Sequence, residues 1–296
     1  MVVLAVSMRA QSLFKEIPWL TNSLVVSLIV TMVLVLIIRL TTSKVALVPA
    51  GGQNFIESII ELLYGLVEGM VGKNLAPRVF ALLGTIFVFI LTANFSGLIP
   101  GVGTVGWGPS ETGNRLMVHM ADHSAVPLVR PPTADLNMNL AIAAFFMIMW
   151  LIWSIQETGF KGFFVHIFGV KGKVEGGIFL KAFLAFIFFV VGLIEVVSIL
   201  ARPLSLSLRL YGNVFAGENL LHEMSSLGHS FGLRGAADFI ASVLLPIPFY
   251  FLEILVGVLQ AGVFMILCTV YILLSTSHDE EHDADHDHEH AHGPGH

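Results

Sequence analysis

The chain has 296 residues, 55% of them hydrophobic and 12% charged, with a mean hydropathy of +0.84. A soluble domain carries roughly 25% charged residues, so this composition excludes an ordinary cytosolic domain and a disordered protein, and the single Cys268 excludes a disulfide framework or a Cys-rich metal site. The formal net charge of −6 sits at one end: seven of the 21 acidic residues fall between His278 and His296, and the 14 that remain face 15 basic ones, a balance that does not suit a nucleic-acid binder.

A bilayer crossing needs ~20 apolar residues, because the hydrocarbon is about 30 Å thick and a helix rises about 1.5 Å per residue. Residues 1–20 are expected outside the membrane, with no cleaved signal, since MVVLAV is too short for a signal core and lacks a basic start. Residues 21–40 predict the first span, closed by Arg39 and Lys44. Over 52–72, Phe55, Ile59, Leu62, Leu66 and Met70 recur at helical spacing with Glu57, Glu61 and Glu68 between them, which predicts an amphipathic helix at the cytoplasmic interface. Residues 79–99 predict the second span, 100–132 a Gly/Pro-rich outer loop, and 136–155 the third span, with Asp135 or Thr133 as N-cap.

Residues 179–226 would reach ~70 Å as one helix. They fit two spans broken near Arg202-Pro203, or one long and strongly tilted helix, and hydropathy leaves both open. A hairpin connection at 227–238 and a last apolar run over 241–274, containing Pro246 and Pro248, complete a single membrane domain at 21–277. From His278 the His/Asp/Glu composition predicts a disordered, solvated tail. The chain is thus expected to be an all-α polytopic membrane protein with about five membrane helices and one interfacial helix. If 179–226 crosses once, eight Lys and Arg residues fall on one side and Arg9, Lys15, Arg115, Arg130 and Arg234 on the other. That places the N-terminus outside and the C-terminus in the cytoplasm; two crossings would reverse the C-terminus.

Ionisable residues within spans cost a few kcal/mol each and mark function by default. The segment LIEVVSILARPLSLSLRLYGNVFAGENL, 193–220, carries Glu195, Ser198, Arg202, Ser205, Arg209 and Asn213 at steps of 3, 4, 3, 4 and 4. All lie on one face of a helix. Such a stripe suits an aqueous path or a polar partner; the plainer reading is an interhelical salt bridge. The last span adds Tyr250, Glu253, Gly257 and Gln260 on one face. No basic residue lies near Glu253 in sequence, so its charge needs water, a proton, or an arginine of the preceding helix.

RPLSLSLRLYGNVFAGE followed by LEILVGVLQAGVFMILCTVYI resembles subunit a of the F-type ATP synthase membrane sector, and NFSGLIPG, PTADLN, GLIEVVSIL and SHDEEH occur in the family's order. The resemblance implies a non-catalytic, proton-translocating stator beside a rotating ring of c subunits, assembled with the b subunits of the peripheral stalk and the remaining synthase subunits in a bacterial inner membrane. It implies a long tilted membrane hairpin, favouring one tilted element for 179–226. It assigns the essential arginine to Arg209, facing each passing c-subunit carboxylate between two offset aqueous half-channels. Glu218 matches a half-channel carboxylate, Asn213 and Gln260 polar residues near the arginine, and Glu195 and Asp135 acidic positions toward the access routes. Some members carry His where Glu253 stands, and many carry Lys where Arg202 stands. No cofactor or metal is implied; the translocated ion is H⁺ or Na⁺.

The chain has no GxxxxGK[ST] phosphate loop and no HExxH, so ATP chemistry falls to partners. Two other classes compete. A secondary ion-coupled transporter using Glu195, Arg209, Glu218 and Glu253 would show matching repeat halves, and none is evident. An intramembrane hydrolase would need a nucleophile–base set, and the predicted spans contain a single His, His222 near the end of 179–226.

Overall fold

A computed structural model describes residues 12–14, 17–43, 51–99, 106–110, 113–117, 126–127, 130–168, 178–232 and 234–290. Two short strands, β1 (Ser12–Phe14) and β2 (Ile17–Thr21), pair as an antiparallel hairpin and lead into helix α1 (Asn22–Thr41), capped by the Thr21 hydroxyl, which accepts from the Leu24 amide at 3.3 Å. Helix α2 (Gly52–Gly97) is broken at Gly72, where φ is 79° and ψ 167°. Only glycine enters that region freely, so one residue separates the expected amphipathic stretch from the expected second span.

Within the loop expected over 100–132, β3 (Gly106–Ser110), β4 (Gly113–Met117) and β5 (Val126–Pro127) form an antiparallel sheet in the order β4-β3-β5, with Trp107 opposite both Leu116 and Val126. Gly and Pro within the strands conceal it from propensity reasoning. A 3-10 turn, Pro132–Ala134, then delivers the chain to α3 (Leu136–Phe168), broken at Gly159 with φ 72°. Asp135 is the N-cap: its carboxylate accepts from the Asn137 amide at 3.1 Å. Thr133 instead accepts through its carbonyl from the Asn139 side chain, at 2.7 Å.

Helix α4 runs unbroken from Ile178 to Ser230, through Pro203. Its 53 residues reach about 80 Å, against a hydrocarbon layer of about 30 Å. Phe183, Phe186, Phe189, Ile194, Leu200, Leu204 and Leu208 are all exposed along it, so the helix meets lipid over most of its length only by lying strongly tilted. Of the two readings the sequence left open for 179–226, the structure shows the single long helix, the one the resemblance favoured, with no break at Arg202-Pro203. Proline removes one amide donor, and the turns on either side hold the helix. The connection expected at 227–238 shortens to 231–235, because α4 continues to Ser230 and α5 (Ala236–Leu244) begins directly after Gly235.

Helix α6 (Ile247–His290) takes Pro248 in its first turn and is helical well into the segment expected to be disordered. Between Gly262 and Gly293 the sequence contains neither Gly nor Pro, so nothing stops the helix.

Five described helices are long and apolar enough to cross a membrane. Helix α1 packs on α2, α2 on α6, and α3 on α4, with α6 also touching α3 and α4. Leu83, Ile90, Phe146, Leu210, Phe264 and Met265 are buried where α2, α3, α4 and α6 meet.

Candidate functional site

The polar residues of α4 and α6 meet at successive levels, because the two helices run antiparallel. At one end lies Arg202. Its guanidinium carbon stands 5.6 Å from the centre of the Trp150 ring and 4.9 Å from that of Tyr271. Trp150 Nε1 donates to the Tyr271 carbonyl at 2.9 Å, closing the box between α3 and α6. By register Arg202 belongs to the stripe, but its charge is occupied by aromatic faces. A partly desolvated cation–π contact is worth up to about 2 kcal/mol. Arg202→Ala is expected to lower the unfolding transition of the purified protein by about that amount, and Arg202→Lys by much less. An unchanged transition in Arg202→Ala would show that the box contributes nothing. Glu195 is half-buried, two turns nearer the start of α4.

Arg209 is exposed, flanked by exposed Leu204, Ser205 and Leu208. Among the described residues it has no hydrogen-bond or ion-pair partner. One turn on, Asn213 Nδ2 donates to Gln260 Oε1 at 2.7 Å, tying α4 to α6. Gln260 is itself buried. Asn94 of α2 donates to the Gly257 carbonyl at 3.2 Å, so α2 meets α6 at Gly257, between Glu253 and Gln260.

Next along is Gly217. A Cβ there would overlap the Glu253 carboxyl, so the carboxyl lies directly against the backbone of α4. Sequence spacing left an arginine of α4 as one possible partner for Glu253. Among the described residues no cation pairs with it, and a glycine makes the room instead.

Glu218 follows, and its partner comes from outside both helices. Arg130 Nη2 lies 3.7 Å from Glu218 Oε2 and donates to the Ala134 carbonyl at 3.3 Å. Arg130 is only 2% exposed. The N-cap Asp135 is buried beside it, and Tyr211 of α4 is within electrostatic reach of Arg130, Glu218 and Asp135. Sequence reasoning counted Arg130 only as a loop charge; it precedes PPTAD directly, and that adjacency was the one signal available.

The expected residues therefore separate into three groups along α4. Glu195 and Arg202 lie at one end; Arg209, Asn213 and Gln260 form the middle; Glu218, Glu253 and Asp135 lie at the other, joined by Arg130 and Tyr211. Glu195 and Glu218, 23 residues apart, stand about 34 Å from each other along the helix, so they belong to separate polar regions. The exposed cation lies between those regions.

Residues 24–273 match the family model described as ATP synthase A chain. The chain is 32% identical to the ATP synthase subunit a of Moorella thermoacetica over 251 residues, covering 84% of this chain and 88% of that protein. It is 32% identical to the ATP synthase subunit a of Pseudomonas fluorescens over 255 residues, 84% of this chain and 80% of that one. With the subunit a of Protochlamydia amoebophila it shares 28% identity over 262 residues, 88% and 82% of the two chains. With the match spanning every membrane helix and the whole polar stripe, the chain belongs to the ATP synthase A chain family.

Proposed function

We infer that this chain is the proton-translocating stator subunit of a rotary ATP synthase. The observation that carries the reading is Arg209: a permanent cation on an exposed, apolar membrane face, without a hydrogen-bond or ion-pair partner among the described residues. Lipid cannot solvate such a charge cheaply. An anion presented by another membrane protein can, and a ring of c subunits, each bringing one carboxylate past the stator, supplies it repeatedly. The separation of Glu195 from the Glu218–Glu253–Asp135 group suits two half-channels opening on opposite sides, with Arg209 as the barrier between them. The 8-to-5 distribution of Lys and Arg supports an external N-terminus and a cytoplasmic C-terminus, and bacterial relatives support the bacterial inner membrane. The b subunits and the ATP-hydrolysing sector complete the partner set.

The test is the whole synthase containing this subunit, reconstituted into liposomes, with ATP-driven acidification and gradient-driven ATP synthesis measured at varied Na⁺. Coupled turnover that does not require Na⁺ is expected; failure to couple ATP and ion movement would overturn the reading. In the same system Glu218→Gln and Glu253→Gln are each expected to slow pumping by roughly 100-fold, the low end of what a positioned proton-transfer group contributes, and to change the pH dependence. Unaltered pH–rate profiles in both would make these carboxyls structural.

A further inference from the structure

The Arg130–Glu218 pair joins a loop to a helix 88 residues away in sequence, and the surroundings are as informative as the pair. Arg130 is almost wholly buried, so its charge is not there to meet solvent. Burying an arginine is costly unless it is paired and hydrogen-bonded; Arg130 Nη2 lies 3.7 Å from Glu218 Oε2 and donates to the Ala134 carbonyl, while Glu218 Oε2 itself is buried without a hydrogen bond among the described residues. Around it, the Thr133 hydroxyl, the Asn139 side-chain oxygen and the Tyr211 hydroxyl are buried without a hydrogen-bond partner among the described residues. Buried polar atoms that the protein leaves unserved are characteristically served by water. Glu218 is 29% exposed, open enough to exchange a proton with that water.

We propose that Arg130 is a positioning residue for proton transfer, a fixed cation in the wall of the access path that favours the ionised, proton-accepting form of Glu218 between transfers. The proposal rests on the stator reading above. The step moves one proton from hydrated hydronium to a Glu218 oxygen, and the same proton then leaves toward the ring carboxylate, so Glu218 returns to its starting charge. Arg130 never loses its own proton, since a guanidinium stays charged throughout. Among the described residues, the other charged or titratable groups around the pair are Tyr211 and His222 on α4 itself, Asp135 at the start of α3, which acts on Tyr211, and Glu253 of α6, which lies against the neighbouring Gly217. Arg130 is the permanent cation among them.

The experiment compares Arg130→Gln, Arg130→Lys and Arg130→Gln/Glu218→Gln with the unaltered complex, measuring assembled complex and pumping rate against pH in liposomes. Without the cation, Glu218 holds its proton to higher pH, and the pH–rate profile of Arg130→Gln is expected to move alkaline by about one unit, the small end of the effect of a charge at this distance. Arg130→Lys keeps a cation and is expected to keep the profile in place. If Arg130→Gln fails to assemble, removing the stranded carboxylate in the double variant is expected to restore assembly. A rate lowered equally at every pH, a lysine variant as shifted as the glutamine one, or a double variant that still fails to assemble would each overturn the proposal. An unaltered complex that pumps no protons would instead overturn the stator reading.

Discussion

Replacing Arg209 with alanine is expected to abolish both ATP-driven pumping and proton-driven synthesis while the complex still assembles. The side chain is exposed and unpaired within its own chain among the described residues, so its loss strands no buried anion and opens no cavity. On the proposed stator reading, what it removes is the charge that each ring carboxylate meets. A carboxyl crossing lipid travels neutral, because a bare carboxylate there carries a large desolvation penalty. At the stator it must release its proton, and a cation a few ångströms away favours the ionised form by up to about 1000-fold. Arg209→Lys is expected to fail as well: a desolvated ammonium can shed its proton, whereas guanidinium cannot. Arg209→Ala should in addition let protons leak between the two access paths, seen as dissipation of an imposed gradient in liposomes without ATP turnover. Coupled synthesis at near-normal rate in Arg209→Ala would refute this account.

The second large effect is expected at Gly217. In a helix interior Gly→Ala gains about 1 kcal/mol in backbone terms, so a substitution judged by stability alone looks favourable. The Cβ, however, enters the space held by the Glu253 carboxyl. That carboxyl ends a flexible side chain and will swing away before the helices part. Gly217→Ala is therefore expected to leave the unfolding transition unchanged or raised and to lower pumping partially, with Gly217→Val, branched at the same point, lowering it roughly 100-fold, the low end of what a positioned proton-transfer group contributes. Rate and stability must be measured on the same preparation. A Gly217→Val complex pumping at full speed would show that Glu253 does not act from where it lies.

The membrane helices were legible because hydropathy reports burial in lipid directly: the ends of α1 and the start of α3 fall within a residue or two of the apolar runs. The course of 179–226 was not, since Arg202-Pro203 reads as a break when taken locally, and only the continuous helix shows that the neighbouring turns tolerate it. The polar stripe was visible as a period, so Arg209, Asn213 and Gln260 could be named in advance. What periodicity cannot carry is a contact made across the fold. Arg130 sits in a Gly/Pro-rich stretch with no period to place it, and its partner is remote in sequence. Gly217 acts through what its missing side chain admits, which leaves no mark in composition or spacing. Arg202 shows the complementary case: the register put it on the right face, but only the rings of Trp150 and Tyr271 reveal where its charge is spent.

The part of helix α4 between Arg202 and Glu218 can also be regarded mechanically, as a beam supported at its two ends. The aromatic box grips it at Arg202 and the loop arginine grips it at Glu218, 16 residues or about 24 Å apart. Arg209 stands between the supports, where a beam bends most, and the Asn213–Gln260 bond acts as a brace one turn away. A rotating partner that pulls sideways on Arg209 therefore loads three contacts on three other segments, not the helix alone. Weakening a single support leaves the cation in place at rest and lets it yield under force. Stall torque, the opposition against which the motor can still turn, would then decline before unloaded speed does.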